Sequence, residues 1–295
     1  MRYTYFPGCS LESTARGYDL SLRAVFRRLS LDLRELDDWN CCGATAYMSV
    51  AETMALAVSA RNLALAEREG AGADLVAPCS ACYLVLHKTH RYLAEQPGLR
   101  QRVGEALAEG DLAYRGTLRI RHPLDVLVND VGLEAIAAKA VRSLEGARVA
   151  PYYGCQIVRP ERGFDDREVP MWLDHLFRRL GAEVVDFPMK VRCCGGMLMT
   201  TAEDVGLRLS GDILACAMDA GANVVVTTCP MCQINLEAYQ GEIGRALRRR
   251  VEVPIVFFTQ LLGLALGAGA DELGLPMNLV PLGPELATLA EAAHV

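Results

Sequence analysis

Two hydrophobic rhythms alternate along the chain. Short runs rich in apolar residues at 2–6, 31–36 and 74–77 read as strands, and stretches with apolar positions three and four apart at 18–29 and 50–69 read as helices between them. The same order then recurs, with strands at 148–153, 183–187 and 223–228 and helices at 169–180 and 202–220. Both third strands run directly into a Cys-x-x-Cys and a further helix, and 119–131 and 253–266 each predict one more strand and helix. Strands that alternate with helices imply parallel sheets covered by helices.

The cysteines repeat with the same period. There are eleven, and with Cys216 set aside they fall into two ordered sets: Cys9, Cys41, Cys42, Cys79, Cys82 and Cys155, Cys193, Cys194, Cys229, Cys232, offset by 146 to 152 residues. Neighbouring residues match as well. Pro7-Gly8-Cys9-Ser10 pairs with Tyr153-Gly154-Cys155-Gln156, Cys41-Cys42-Gly43-Ala44 with Cys193-Cys194-Gly195-Gly196, and Cys79-Ser80-Ala81-Cys82 with Cys229-Pro230-Met231-Cys232. This is an internal duplication. The expectation is an α/β protein of two similar Rossmann-like domains with parallel sheets, 1–145 and 146–295, related by a pseudo-twofold. The boundary lies near 143–146, where the pattern restarts without a low-complexity linker, so a packed pair is expected rather than beads on a string.

Composition narrows the function classes. Of 295 residues 52% are hydrophobic, enough to bury a substantial core, and 36 acidic against 30 basic side chains offer no basic footprint for nucleic acid or an anionic membrane. The best apolar run, 261–270, is too short to span a bilayer, and the residues from Met1 to Thr4 lack the regions of a secretion signal. A cytoplasmic location follows as the expectation. Dense cysteines in a reducing compartment more often bind metal or do redox chemistry than form disulfides.

In parallel α/β sheets ligands gather at the carboxyl ends of the strands, and all three cysteine groups of each half lie there. Five thiolates would thus meet at one edge of each domain. A structural zinc and a cubane [4Fe–4S] cluster each take four ligands, which leaves the fifth unexplained. A vicinal pair strains a chelate on one ion but can serve neighbouring irons of a cluster. Cys-x-x-Cys at a helix start adds N–H donors and the positive helix end, which stabilise thiolates. Gly8, Gly43, Gly154, Gly195 and Gly196 fit the same picture, because a missing Cβ lets backbone approach inorganic sulfide. Zinc in one or both halves stays the alternative, and disulfides the third reading. Cys216 lies in the stripe Val205, Leu209, Ile213, Cys216 and reads as a buried apolar residue.

The motifs resemble the CCG cysteine-rich domain, duplicated as in the B-subunit of heterodisulfide reductase, over essentially the whole chain. Residues 3–10 with Cys41-Cys42-Gly43, and 151–160 with Cys193-Cys194-Gly195-Gly196, carry the resemblance. It implies two noncubane [4Fe–4S] clusters, each held by its five cysteines, that face one another across the domain interface. A disulfide substrate lies between them, and the S–S bond is cleaved, or formed in reverse, with each sulfur captured at cluster iron. The chain has neither a ferredoxin-type Cys-x-x-Cys-x-x-Cys nor a Gly-x-Gly-x-x-Gly fingerprint. Electrons would therefore be exchanged through a ferredoxin-type protein like the C-subunit of that enzyme and a flavin-bearing protein like its A-subunit. Arg outnumbers Lys 27 to 3, a composition of GC-rich genomes that points to a bacterial complex, whose disulfide would belong to another thiol or a lipoyl carrier. The alternative is a non-catalytic electron-transfer subunit of a CCG-containing oxidoreductase of the fumarate, glycolate or lactate type; a zinc-stabilised scaffold is the structural one.

Other residues are open to two readings. Arg159, Lys190 and Arg192 flank Cys155 and Cys193, where cations would offset cluster and substrate charge or simply line a solvated face. His122 before Pro123 reads as a helix cap or packing group rather than a proton donor. His87 and His90 share a helix face and read as solvated. Met197 and Met199 read as packing around the cluster.

Overall fold

The structure, a computed structural model, describes residues 1–44, 47–70, 72–160 and 163–291. Strands β1 (Arg2–Tyr5), β2 (Asp32–Glu35), β3 (Leu75–Val76) and β4 (Ile120–Arg121) form one sheet in the order β2-β1-β3-β4. Strands β5 (Arg148–Tyr152), β6 (Glu183–Val184), β7 (Val224–Thr227) and β8 (Ile255–Phe257) form a second in the order β6-β5-β7-β8. Every pairing is parallel, and in both sheets the first strand is central with the second at its edge. Burial explains the sequence signal: β7 is covered on both faces and reads Val-Val-Val-Thr, whereas edge strand β2 alternates exposed Asp32 and Arg34 with half-buried Leu33 and Glu35.

Helix boundaries depart from periodicity where local chemistry overrides it. The helix expected at 169–180 begins at Trp172. Pro170 disfavours helical backbone at Val169, and the Asp165 carboxylate accepts the N–H groups of Met171 and Trp172 at 3.1 and 3.0 Å, which anchors the later start. The helices expected at 50–69 and 202–220 run unbroken at Glu52–Glu69 and Glu203–Asp219, each preceded by a one-turn helix, Tyr47–Val50 or Leu198–Thr201, outside the expected span. Ala51 and Ala202 separate the short helix from the long one with non-helical backbone, φ −145° and −154°. Neither junction carries a Gly or Pro, so no local signal marks it.

One continuous core runs through both halves, from Tyr5, Phe26 and Leu63 through Leu144 and Val149 to Phe177, Val226 and Phe258, and a smaller cluster covers the other face of the second sheet. Helix Arg16–Arg28 packs across the seam on helix Phe258–Ala265. Within that contact Ser21 Oγ lies 2.6 Å from Thr259 Oγ1, and the Tyr18 ring stacks on Phe257 at 4.3 Å and 6°. At the rim the Arg28 guanidinium grips Glu272 with two bonds of 2.6 and 2.7 Å. Such a shared core joins the halves into a packed pair. Among the described residues no helix is long and apolar enough to cross a membrane.

His122 sits at the seam with no exposed surface. Its Nδ1 accepts the Leu124 N–H at 3.2 Å as the cap of helix Pro123–Val126, and its Nε2 donates to the Pro78 carbonyl at 2.9 Å. Both nitrogens are occupied, which fixes the neutral tautomer and the capping role. Burial pushes the imidazole down to about 4. An unfolded histidine titrates near pH 6.5, so between these values only the unfolded chain takes up the proton. Stability is fully present above about pH 6.5 and falls, by about 3 kcal/mol, as the pH drops to about 4. In urea titrations across this window the wild-type chain should lose about 3 kcal/mol more than His122→Asn, which keeps a capping side chain; parallel pH profiles would refute the linkage.

Candidate metal centres

All three cysteine groups of each half emerge from the carboxyl ends of parallel strands. Cys9 and Cys155 follow β1 and β5 through tight turns at Gly8 and Gly154, whose φ of +72° and +71° suits glycine. The absence of a side chain matters for space too: a Cβ on Gly8 would lie 3.0 Å from Cys82 Sγ, and one on Gly154 2.9 Å from Cys232 Sγ. Cys79 and Cys229 follow β3 and β7 as the N-caps of helices Ser80–Glu95 and Pro230–Glu237, with Cys82 and Cys232 in the first turn. The positive end of each helix therefore faces a pair of thiols.

The vicinal pairs divide their labour. Cys42 and Cys194 are buried, whereas Cys41 and Cys193 are exposed, as successive residues of extended chain point to opposite sides. Cys42 Sγ lies 3.1 Å from Cys82 Sγ, and Cys194 Sγ 3.6 Å from Cys232 Sγ. Gly43, Gly195 and Gly196 turn the chain away behind each pair, and Gly195 lets the Gly206 backbone of the following helix approach. Asn62 accepts the Asn40 N–H and donates to the Asn40 carbonyl, both at 2.9 Å, holding the loop before Cys41.

Neighbouring thiols shift one another within each half, and Cys79 and Cys229 act on each other across the seam. Cys42, beside Cys41 and Cys82, is held down at about 4, and Cys79, beside Cys229 and Cys82, lies well below the usual thiol range. Cys194 is lowered by the Cys232 thiol. Their neighbours Cys41, Cys82 and Cys232 are pushed up, by the adjoining cysteines and by burial. Cys232 pulls Cys229 down, but sharing with Cys79 and burial carry it up to about 12. Burial and the neighbouring Cys193 push Cys155 up to about 11. Across the seam the Ser80 hydroxyl donates to the Thr228 carbonyl at 3.1 Å, and the Thr228 hydroxyl to the Tyr153 carbonyl at 3.1 Å.

Of the flanking cations, Arg159 acts on a motif cysteine: its Nε donates to the Cys155 carbonyl at 3.3 Å and its charge draws the thiol down. Lys190 turns instead to Asp174, at 2.7 Å, while its carbonyl accepts the N–H groups of Tyr153 and Gly154 at 3.0 Å and straps the Cys155 turn. Arg192 is exposed, and its carbonyl accepts the Tyr152 hydroxyl at 2.7 Å. His87 and His90 are not solvated as expected. Tertiary contacts cover both, with His87 Nε2 2.8 Å from the Ile120 carbonyl and His90 Nδ1 2.6 Å from the Tyr114 hydroxyl. Met199 is buried against Gly206, but Met197 is half exposed on the surface rather than packed. Cys216 is partly buried at the edge of the second core cluster. Sequence reasoning missed Asn235, whose amide lies 3.5 Å from Cys194 Sγ and 2.8 Å from the Gly196 carbonyl. Its place three residues after Cys232, on the same helix face, was the available signal.

The donor set suits a cluster better than one ion. Among the described residues no three His, Cys, Asp or Glu side chains close around a single point. Soft thiolates, room where Gly8 and Gly154 lack a Cβ, and capping helix ends instead match a polynuclear iron–sulfur group, whose several irons take ligands held apart.

Comparison with known proteins bears on this arrangement. The family described as the cysteine-rich domain, CCG, matches at residues 3–87 and again at 149–237. The chain is 35% identical to the 8-methylmenaquinol:fumarate reductase membrane anchor subunit of Wolinella succinogenes, over 94% of this chain and 96% of that one. It is 29% identical to the B-subunit of the ferredoxin/F(420)H(2)-dependent CoB-CoM heterodisulfide reductase of Methanosarcina acetivorans, over 95% and 94%. Identity to a protein of Archaeoglobus profundus described as like the heterodisulfide reductase B-subunit is 30%, over 90% and 91%. A crystal structure of a hypothetical protein from Helicobacter pylori shares the fold with a TM-score of 0.79 at 17% identity, over 96% of this chain and 52% of that one. This chain thus spans about half the length of that protein. The chain belongs to the CCG cysteine-rich family of oxidoreductase subunits and carries the domain twice.

Proposed function

We propose that this chain is the catalytic subunit of a heterodisulfide reductase-like complex, cleaving or forming a disulfide at two noncubane [4Fe–4S] clusters. Cys9, Cys41, Cys42, Cys79 and Cys82 of unit 1–145 hold one, and Cys155, Cys193, Cys194, Cys229 and Cys232 of unit 146–295 the other. The observation that carries this reading is the direct tie between the two Cys-x-x-Cys loops, where Ser80, next to Cys79, donates to the carbonyl of Thr228, next to Cys229, at 3.1 Å, so that two complete cysteine sets meet at the seam. A disulfide has two sulfurs and takes two electrons and two protons to become two thiols. Two centres that meet suit that stoichiometry.

Bound clusters supply one-electron transfer and iron with affinity for thiolate sulfur. The chain's own groups do the rest. Ser80 and Thr228 tie the two Cys-x-x-Cys loops to each other. The helix ends at Cys79 and Cys229 and the Arg159 guanidinium offset negative charge. The buried seam excludes water around Cys79 and Cys229, while exposed Cys9, Cys41 and Cys193 leave the outer side open to substrate and partner. Electrons come from, or go to, a ferredoxin-type partner and a flavin-bearing partner, the counterparts of the C- and A-subunits of heterodisulfide reductase.

One finding favours a second reading. A relative at 35% identity is named as part of a menaquinol:fumarate reductase, which supports an electron-transfer role that relays charge without touching a disulfide. Turnover separates the two: a disulfide-cleaving protein oxidises a reduced viologen only when a disulfide is added, and a relay does not respond.

Anaerobically purified protein should be brown and carry about eight iron and eight sulfide per chain. Stoichiometric zinc without sulfide would refute the cluster reading in favour of a scaffold. Cys42→Ser and Cys194→Ser should each lower iron to about four per chain and cut disulfide-dependent turnover more than about 100-fold, with secondary structure retained. A variant that loses its cluster yet turns over at the wild-type rate would show that half to be structural.

A further inference from the structure

The two cysteine sets match in sequence, yet the segments that carry them are bonded to one another differently in the two halves. In the second half the loop before the vicinal pair is bound to the turn before Cys155: the Lys190 carbonyl accepts the N–H groups of Tyr153 and Gly154, both at 3.0 Å, and the Arg192 carbonyl accepts the Tyr152 hydroxyl at 2.7 Å. Lys190 is itself anchored. Its ammonium, on a side chain 13% exposed, donates at 2.7 Å to Asp174, which is 2% exposed on helix Trp172–Arg179. Just after the vicinal pair, the Asn235 amide donates to the Gly196 carbonyl at 2.8 Å and binds the same loop to the helix that carries Cys232.

The first half lacks each of these groups at the matching position. Phe6 and Pro7 stand three and two residues before Cys9, where Tyr152 and Tyr153 stand before Cys155. Phenylalanine has no hydroxyl and proline no N–H, so neither can bond a loop carbonyl. Asp38 takes the place of Lys190 three residues before the vicinal pair, and Val85 that of Asn235 three residues after the Cys-x-x-Cys. The loop before Cys41 is held instead by Arg61 and Asn62, both on helix Glu52–Glu69, which carries no motif cysteine. Toward the Gly8 turn it offers a ring contact, Trp39 against Phe6 at 5.5 Å and 75°. Apolar contact is non-directional and fixes the separation of loop and turn less strictly than a hydrogen bond does.

A metal site whose ligand-bearing segments are already held in place gives up less chain freedom on binding, so it holds its group more tightly and releases it more slowly. We propose that unit 146–295, through Lys190, Tyr152 and Asn235, is the preorganised centre that retains its cluster, and that unit 1–145 is the labile one, which releases iron first. This rests on the cluster reading above and ranks the two centres that it treats alike. Lys190 and Tyr152 are positioning residues in this role and act through main-chain bonds at the Cys155 turn and the loop before Cys193.

The test treats the anaerobic holoprotein with excess bathophenanthroline disulfonate, a ferrous chelator, together with iodoacetamide, and maps the alkylated cysteines by peptide mass spectrometry over time. In wild-type protein Cys42, Cys79 and Cys82 should be alkylated about 10-fold or more faster than Cys194, Cys229 and Cys232, as the first four or so of about eight iron are lost. All six are buried, so surface exposure does not bias the comparison. Lys190→Met and Tyr152→Phe should each speed the second set by about 10-fold and leave the first unchanged, whereas general unfolding would expose both sets together. Equal rates in the wild type, a second set that reacts first, or variants that react like the wild type would overturn the proposal. Should Lys190→Met fail to fold, Tyr152→Phe, which keeps the ring, decides alone. Wild-type protein without iron and sulfide would instead refute the cluster reading itself.

Discussion

The loops of Cys79 and Cys229 meet, Ser80 against Thr228, because each cysteine sits at the start of the helix that leaves the third strand of its own sheet, and a residue meets its counterpart only near the axis that relates two halves. The rest of the seam serves that meeting. Cys79 and Cys229 are both buried there, and the ring stack of Tyr18 on Phe257 and the fully buried His122 provide dry surroundings. The loops must also hold their separation, which the bond from Ser80 to the Thr228 carbonyl fixes from the backbone side. A flexible tether between two independent domains would provide neither. The continuous core, with helix Arg16–Arg28 laid across helix Phe258–Ala265, is the physical expression of that demand.

Within the symmetric frame the two halves differ in their hydrogen bonding. Asn235 donates toward Cys194 from a position where the first half carries Val85, and Tyr152 approaches Cys232 where the first half has Phe6 against Cys82. The rings at the seam differ too, with Tyr18 stacked on Phe257 at 4.3 Å and Phe164 parallel to His122 at 6.2 Å. The buried carboxylates differ as well: Asp19 is gripped by Arg16 and Arg23, at 2.8 and 2.9 Å, and Asp174 by Lys190 at 2.7 Å. Ligand sets that match in sequence are therefore embedded in unequal fields, and equal clusters in them would not be electronically equivalent.

Much of this was legible in the chain because strands and cysteines repeat together. Parallel strands follow from alternation with helices, and the placement of Cys9, Cys41 and Cys79 at strand ends follows from the strands. What periodicity hides is set by tertiary contact. The interruptions at Ala51 and Ala202 use a residue that favours helix everywhere else. The place of Tyr18 was hidden because an aromatic in a helical stripe reads as core, and only the packed halves reveal that its ring stacks on Phe257 of the other half. His87 and His90 share a helix face, as their spacing requires, but the segments that cover that face come from β4 and from Tyr114, and no local pattern announces them.

The split of each vicinal pair gives the centres a direction. Cys42 and Cys194 turn inward to Cys82 and Cys232, and through them to the junction, while Cys41 and Cys193 turn outward. Adjacent residues on an extended backbone are the shortest way to put one thiol in the dry seam and one at the solvent edge. The surface beside the outward pair is not wholly polar: Val50 and Met54, just after the first vicinal loop, are 81% and 60% exposed, and Met197, just after the second, 50%. Water and charged reagents therefore meet Cys41 and Cys193 directly, whereas Cys42 and Cys194 are buried. Under the proposed function, a partner that exchanges electrons approaches over that same rim, because Cys79 and Cys229 on the inner side are buried.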